Sequence, residues 1–269
     1  MQNCKICCLY SGSKGNCTFV SANGAKILID AGKSAKALKA ALVSIGESID
    51  DIDAIFITHE HNDHISALRT LSHKHKIPIH MLLSSAMIFN GLCDELLCEN
   101  LVLYKGNSFE TDVAGIHIKA FPTPHDSMGA VGYRITFNGE DGKEIALAVS
   151  TDIGYVTDAL RENLAGCIAA VLESNHDPEM LKNGPYPFEL KQRIRSKKGH
   201  LSNPECAEFV TELYEKGLRH LILAHLSEEN NLPTLAYNET FTAVADESFD
   251  LKIARQDEPV WLIGHNEEV

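Results

Sequence analysis
The chain has 269 residues, 44% of them hydrophobic, enough to bury a full core in one large domain or two small ones. Its net charge of −13 argues against a broad nucleic-acid-binding face, and with no run of eighteen apolar residues no transmembrane helix is expected. The start, Met1-Gln2-Asn3-Cys4-Lys5, lacks a basic stretch leading into a long apolar one, so no secretory signal is expected.

In chain order, Ile6 to Tyr10 reads as a strand, followed by the tight loop Ser11-Gly12-Ser13-Lys14-Gly15-Asn16. Cys17 to Val20 and Lys26 to Asp30 form a hairpin around the turn Asn23-Gly24. Ser34 to Ile45 has helical period and stops at Gly46. Ala54 to Thr58 is a buried strand, and a helix runs from about His64 to His75. Pro78 to Leu82 is a strand, Ser84 to Leu97 a helix, and residues 101 to 121 give two or three strands. Val131 to Phe137 and Glu144 to Ser150 flank a second turn, Gly139-Glu140-Asp141-Gly142. Thr157 to Leu164 is a helix and Ile168 to Leu172 a strand. Ser202-Asn203-Pro204-Glu205 combines a capping box with an early proline and opens a helix that ends at Gly217. Leu221 to Ala224 is a strand, Thr234 to Glu247 a helix, and Leu251 to Arg255 and Val260 to Ile263 the last strands. The second half repeats the plan of the first. Two mixed sheets packed face to face with helices outside would bury this pattern, as one domain over residues 1–269.

Three imidazoles and two carboxylates, Glu60 and Asp63, fall within His59-Glu60-His61-Asn62-Asp63-His64, just after the apolar run Ile55-Phe56-Ile57. Neutral imidazole and carboxylate hold zinc, manganese or iron, and burying so many of them without a cation leaves polar atoms unsatisfied. The pattern points to two metal ions. Three further candidates each follow a strand: His125 after Phe121, Asp152 after Val149, and His225 after Leu223. Ligands at the carboxyl ends of strands converge on one edge of an α/β sheet. His73 and His75 suit the last turn of a helix, and His80, His117, His220 and His265 lack a ligand-like setting.

The eight cysteines read as reduced cytosolic thiols. Cys4, Cys7 and Cys8 could clip a metal, but Cys93 and Cys98 do not supply a matching pair, so small buried hydrophobes are expected instead. Between residues 182 and 198, Lys182, Lys191, Arg193, Arg195, Lys197 and Lys198 face the single acid Glu189, so this segment is +5 and the remainder −18. It reads either as a solvated helix face or as a binding surface next to Gly199-His200.

With these motifs the chain resembles the metallo-β-lactamase-fold hydrolases over nearly its whole length. The resemblance implies a four-layer αββα sandwich. It also implies that His59, His61 and His125 hold one metal, that Asp63, His64 and His225 hold the second, and that Asp152 bridges both. Ser11-Gly12-Ser13-Lys14-Gly15-Asn16, Leu172-Glu173-Ser174-Asn175-His176-Asp177 and Lys198-Gly199-His200-Leu201-Ser202-Asn203 are similar to a bacterial subgroup, the YycJ/WalJ proteins. That subgroup is similar to ribonuclease Z and to the core of ribonuclease J and is associated with exonuclease action. Asp152 and His225 stand too close in sequence to hold the inserted domain of ribonuclease J.

The resemblance implies a phosphodiesterase acting on DNA or RNA, DNA favoured, from the 5′ end. Two divalent ions, zinc first with manganese or iron as alternatives, would lower the pKa of a water toward 7 and polarise a phosphoryl oxygen. Asp63 can accept a proton from the water. His200, held by Glu173, is the candidate donor to the leaving alkoxide, as a similar pair is in ribonuclease Z. Lys191, Arg193 and Arg195 could track a phosphate backbone. The loop from Ser11 to Asn16, with Ser13 and Asn16, could offer N–H groups to a phosphate or could simply be a tight connection. His176 could line the site or cap the turn at Asp177-Pro178. A thioester or lactone hydrolase of the glyoxalase II type is the alternative, against which the basic segment and the Glu173/His200 pair speak. A redox or pure binding role on the same fold is disfavoured because His61 is an imidazole, where oxygen-reducing relatives carry an acid, and because no ligand is missing.

Overall fold
The computed structural model describes residues 4–88 and 99–264. Fourteen strands form two seven-stranded sheets among the described residues. In chain order the first sheet contains β1 (Cys4–Tyr10), β2 (Cys17–Ala22), β3 (Ala25–Ile29), β4 (Ala54–Phe56), β5 (Ile79–Leu82) and β6 (Leu101–Tyr104). The second contains β7 (Phe109–Val113), β8 (Ile116–Pro122), β9 (Val131–Asn138), β10 (Glu144–Ser150), β11 (Ala169–Glu173), β12 (His220–Ala224) and β13 (Asp250–Ile253). The last strand, β14 (Val260–Ile263), returns to the outer side of β1. Each sheet is antiparallel in one half and parallel in the other, with β3 to β6 and β10 to β13 as the parallel runs.

Strand alternation divides the apolar residues into three layers. Ile27, Ile29, Phe56, Ile118, Tyr133, Val171 and Ile222 meet between the sheets. Leu28 and Ile55 point the other way, onto Leu38 and Leu42 of the helix Ala35–Ser44 and Leu68 and Leu71 of the helix Leu68–His75. On the far side Ala148, Leu172 and Leu221 meet Leu160 of the helix Asp158–Leu164 and Phe209 and Leu213 of the helix Asn203–Glu215. The result is the four-layer αββα arrangement expected from the sequence. Replacing Phe209, which is fully buried, by alanine would cost about 3–5 kcal/mol.

Where the reading of local pattern and the fold differ, hydrogen bonds explain it. One helix was expected from His64 to His75, but two form, Asn62–Ile65 and Leu68–His75. The Asp63 carbonyl accepts from Asn16 N–H at 2.7 Å and the His64 carbonyl from Ala31 N–H at 2.8 Å, so the next turn loses its acceptors. Ala67 N–H turns to the Ala31 carbonyl instead, at 2.9 Å. The basic segment also folds into two short helices, Pro178–Asn183, capped by the Asp177 side chain, and Phe188–Ile194. The capping box at Ser202 and Glu205 forms as expected. The expected helix from Ser84 is present over Leu83–Ile88, and its continuation to Leu97 lies outside the described residues. Cys4, Cys7 and Cys8 are free, buried thiols in β1, and none of the described cysteines joins a metal-like cluster. Cys93, Cys98 and His265 lie outside the described residues.

Candidate metal centre
Strand direction decides which loops meet. β8 and β10 are each antiparallel to β9, so they point the same way, and β11 and β12 are parallel to β10. Their carboxyl ends lead to His125, Asp152, Glu173 and His225 on one edge. Asp152 and His225 leave their strands with φ of 58° and 56°, and Asp30, just after β3, has φ of 64°. This left-handed conformation costs non-glycine residues about 1 kcal/mol or more, and it turns the chain sharply within two residues of the strand end. Gly32 admits the 59–64 segment, because a Cβ there would stand 1.6 Å from the Asp63 carbonyl oxygen.

The donor atoms form interlocking groups: His59 with His61 and His125, His59 with His64 and Asp152, and Asp63 with His64 and His225, each within 4.8 Å. His59 Nε2 and His61 Nδ1 are 3.0 Å apart. Asp152 sits among all the rest, with Oδ1 3.6 Å from His125 Nε2 and 3.5 Å from His225 Nε2, and Oδ2 3.3 Å from His64 Nε2. The seven residues singled out in the sequence are therefore brought together. His59, His64, His125, Asp152 and His225 are buried, and His61 and Asp63 are partly exposed.

A layer of hydrogen bonds fixes which nitrogen of the His59, His64, His125 and His225 rings faces inward. His59 Nδ1 lies 3.0 Å from Thr58 Oγ1, His125 Nδ1 3.2 Å from the Gly199 carbonyl, and His225 Nδ1 3.2 Å from Asn16 Oδ1. His64 Nδ1 is 2.7 Å from Asp30 Oδ2, and the same carboxylate accepts from Thr58 N–H and Thr58 Oγ1–H, both at 2.8 Å. Asp30 was not singled out in the sequence. Its signal was available, since like the other site residues it is a carboxylate directly after an apolar strand.

Asn16 departs from its expected role. Its Nδ2 donates to Asp63 Oδ2 at 3.1 Å and lies 3.1 Å from His64 Nε2, while its Oδ1 accepts from Gly12 N–H at 3.0 Å. Two more of the loop's amides are engaged, Gly15 N–H on the Gly12 carbonyl and Asn16 N–H on the Asp63 carbonyl. Ser11 Oγ accepts from His225 N–H at 2.7 Å. The loop is thus a brace for the candidate ligands, and its Gly12, Gly15 and Asn16 N–H groups are not open to a phosphate. Ser13 points to solvent.

Electrostatics favour cations at the centre. Burial would raise Asp152, but the surrounding histidines, His225 and His64 foremost, hold it well below the usual carboxylate range. Burial and neighbouring imidazoles push His59 well below its usual value, toward the neutral form that binds metal. Asp152 Oδ2 is buried without a hydrogen bond although an imidazole nitrogen is near. A buried carboxylate oxygen left in that state is costly unless an ion completes it. The donor set, five imidazoles and two carboxylates, fits a pair of divalent ions.

The Glu173/His200 pair adjoins this centre. Glu173 is fully buried; its Oε1 is 2.7 Å from His200 Nδ1 and its Oε2 accepts from Ile153 N–H and Leu201 N–H at 2.7 and 3.2 Å. Burial pulls His200 down, but Glu173 foremost, with Asp152 and Asp126, reverses this and brings it up to about 9. His200 Nδ1 lies 3.8 Å from Asp152 Oδ1, and Asp152, Glu173, His200 and His225 form a further compact group.

The remaining sequence candidates separate. Arg193 Nε binds Asp126 Oδ2, whose other oxygen is 3.1 Å from His125 Nε2, so this guanidinium reaches the centre's rim. Arg195 is exposed. Lys191 is instead a structural clasp, with Nζ donating to the carbonyls of Lys182 and Gly184 at 2.9 and 2.7 Å. His176 is buried, its Nδ1 lacks a partner, and it belongs to none of the compact donor groups; Asp177, not His176, caps the following helix. His75, His117 and His220 pair with Asp50, Asp112 and Asp250, and His80 stacks on Phe56. Among the described residues no helix is long and apolar enough to cross a membrane.

Known proteins agree with this architecture. Residues 25–226 match the model of the beta-lactamase superfamily domain. Exodeoxyribonuclease YycJ of Bacillus anthracis is 33% identical over 241 residues, covering 90% of this chain and 89% of that protein. Exodeoxyribonuclease WalJ of Streptococcus pneumoniae serotype 2 is 34% identical over 237 residues, covering 87% and 85%. The crystal structure of the metallo-β-lactamase fold protein YhfI of Bacillus subtilis superposes with a TM-score of 0.72 at 17% identity, covering 96% of this chain and 99% of that one. The chain belongs to the beta-lactamase superfamily and has the metallo-β-lactamase fold.

Proposed function
We propose that this chain is a metal-dependent phosphodiesterase that degrades nucleic acid as a 5′-exonuclease, with DNA favoured over RNA. The observation that carries the reading is the union, on one sheet edge, of a seven-residue ligand cluster with the Glu173/His200 pair. Two relatives of similar length named as exodeoxyribonucleases support the substrate class. His59, His61 and His125 would hold one divalent ion and Asp63, His64 and His225 the other, with Asp152 shared. Nitrogen-rich ligation favours zinc, with manganese or iron as alternatives. When bound, such ions supply an activated water and offset charge on the phosphoryl oxygens.

The chain's own residues would do the rest. Asp63, aimed by Asn16, accepts a proton from the attacking water. His200 gives a proton to the leaving alkoxide, and Glu173 holds its ring by Nδ1 so that Nε2 faces outward to the substrate. Arg193 and Arg195 meet the phosphate backbone beyond the cut. The protein works as one domain, in a reducing cytoplasm that suits its free thiols.

The test is cleavage of end-labelled single- and double-stranded DNA and RNA with defined 5′ termini, with zinc, manganese or no metal. Metal-dependent release of nucleotides from the 5′ end of DNA is expected. Intact nucleic acids together with turnover of S-lactoylglutathione would replace this reading with a thioesterase.

A further inference from the structure
Beside the metal cluster, two loops that each carry a site residue also present a side chain that the hydrolysis itself does not use. The first loop follows Asp152. Ile153 N–H is bound to Glu173 Oε2 at 2.7 Å, Gly154 N–H to the Pro124 carbonyl at 2.7 Å, and the Val156 carbonyl to Arg161 Nη1 at 3.2 Å. Between these anchors Tyr155 stands out from the surface, 41% exposed. A tyrosine left exposed on a loop pinned at three successive points is not filling a core. The second loop leads into His200 and carries Lys197, which is exposed. The two loops touch through Gly154, where a Cβ would lie 2.3 Å from the Lys197 carbonyl oxygen, so any side chain there would separate them. Lys197 Nζ lies 5.5 Å from the centroid of the Tyr155 ring.

We infer that Tyr155 and Lys197 form a subsite for the nucleotide next to the phosphate that is cut, the ring stacking on its base and the ammonium meeting its phosphate. The inference rests on the nuclease reading above and deepens it. Three residues of extended chain span at most about 10 Å, so Tyr155 stays within that reach of Asp152. Every base has a π-face, so an aromatic platform with a flanking cation grips a single strand without choosing a sequence. Lys197, Lys198, Arg193 and Arg195 give this rim a charge opposite to that of the strand, in a protein that is otherwise acidic. Both groups are tied to loops that also hold Asp152 and His200, so a base held there keeps its strand bound beside the centre.

The test uses the metal-loaded full chain and two substrates: a labelled single-stranded DNA, and methyl p-nitrophenyl phosphate, a phosphodiester without a nucleobase. Tyr155→Ala is expected to raise KM on DNA by roughly tenfold to a hundredfold, with kcat and turnover of the small diester unchanged, and Tyr155→Trp to restore KM. Fluorescence anisotropy with a phosphorothioate strand provides a second readout. An abasic residue at a position flanking the cut should weaken binding to the natural protein and not to Tyr155→Ala. Lys197→Ala should lower the dependence of log affinity on log salt by about 0.7. Equal abasic penalties in both proteins, or loss of small-diester turnover in Tyr155→Ala, overturn the subsite while leaving the nuclease standing. A natural protein that cleaves neither substrate overturns the nuclease reading and the subsite with it.

Discussion

The loop from Ser11 to Asn16 and the segment from Lys182 to Lys198 border the same cluster but treat their polar groups in opposite ways. In the loop, Ser11 and Asn16 are buried, and their side chains are bonded to His225, Gly12 and Asp63. In the basic segment Arg195, Lys197 and Lys198 remain at the surface, and Arg193 reaches the centre only through Asp126. The difference follows from burial. A polar group taken out of water must find a fixed partner, so it becomes part of the scaffold, while one left in water stays available to a substrate. Lys191 shows the same rule within the basic segment, since its ammonium is tied to two carbonyls.

The comparison can be broken at its centre first. Asp63→Ala removes a proposed ligand and the proposed proton acceptor together, and DNA cleavage should fall by about a thousandfold or more while the far-ultraviolet spectrum is unchanged. Asn16→Ala comes next. If the loop is a brace, metal affinity measured by competition with a chelator should drop about ten- to a hundredfold, with no change in the salt dependence of DNA binding. A changed salt slope with normal metal affinity would return Asn16 to the substrate.

Burial should show its sign in stability as well. Burial brings the His80 imidazole down to about 4, below its ordinary value of 6.5. The unfolded chain therefore takes up the proton first. The contribution of His80 is complete above about pH 6.5 and is lost as pH falls from there toward 4, by something of order 2 kcal/mol. Urea unfolding across that window should show the loss, and His80→Phe, keeping the stack on Phe56, should flatten it. The smallest effect belongs to the surface: Arg195→Ala should weaken DNA binding severalfold, alike for all sequences, and reduce the salt slope by about 1. A loss of metal affinity in Arg195→Ala would contradict the contrast between the two regions.

Much of the molecule was legible in the chain alone. Alternating apolar residues gave most of the strands, Asn23-Gly24 and Gly139 to Gly142 marked two hairpins, and His59 to His64 with three strand-end residues marked the side chains that the fold gathers into one cluster. These signals are local: a side chain's face follows from a period of two, a turn from its glycine, a ligand from its donor atom. What only the tertiary structure decided depends on who stands opposite. The break in the helix after Ile65 needs the Asn16 and Ala31 amides, which lie far away in sequence, to take the carbonyls of Asp63 and His64. Asp30 reads as an ordinary strand-end acid until Thr58 and His64 close on it. Asn16, Lys191 and Arg193 are equally polar in the sequence, and only the packing of β1, β4 and β12 around one edge buries the first and leaves the last in reach of water. Residue type fixes what a group can bond to, and folding alone fixes whether water or protein is the partner.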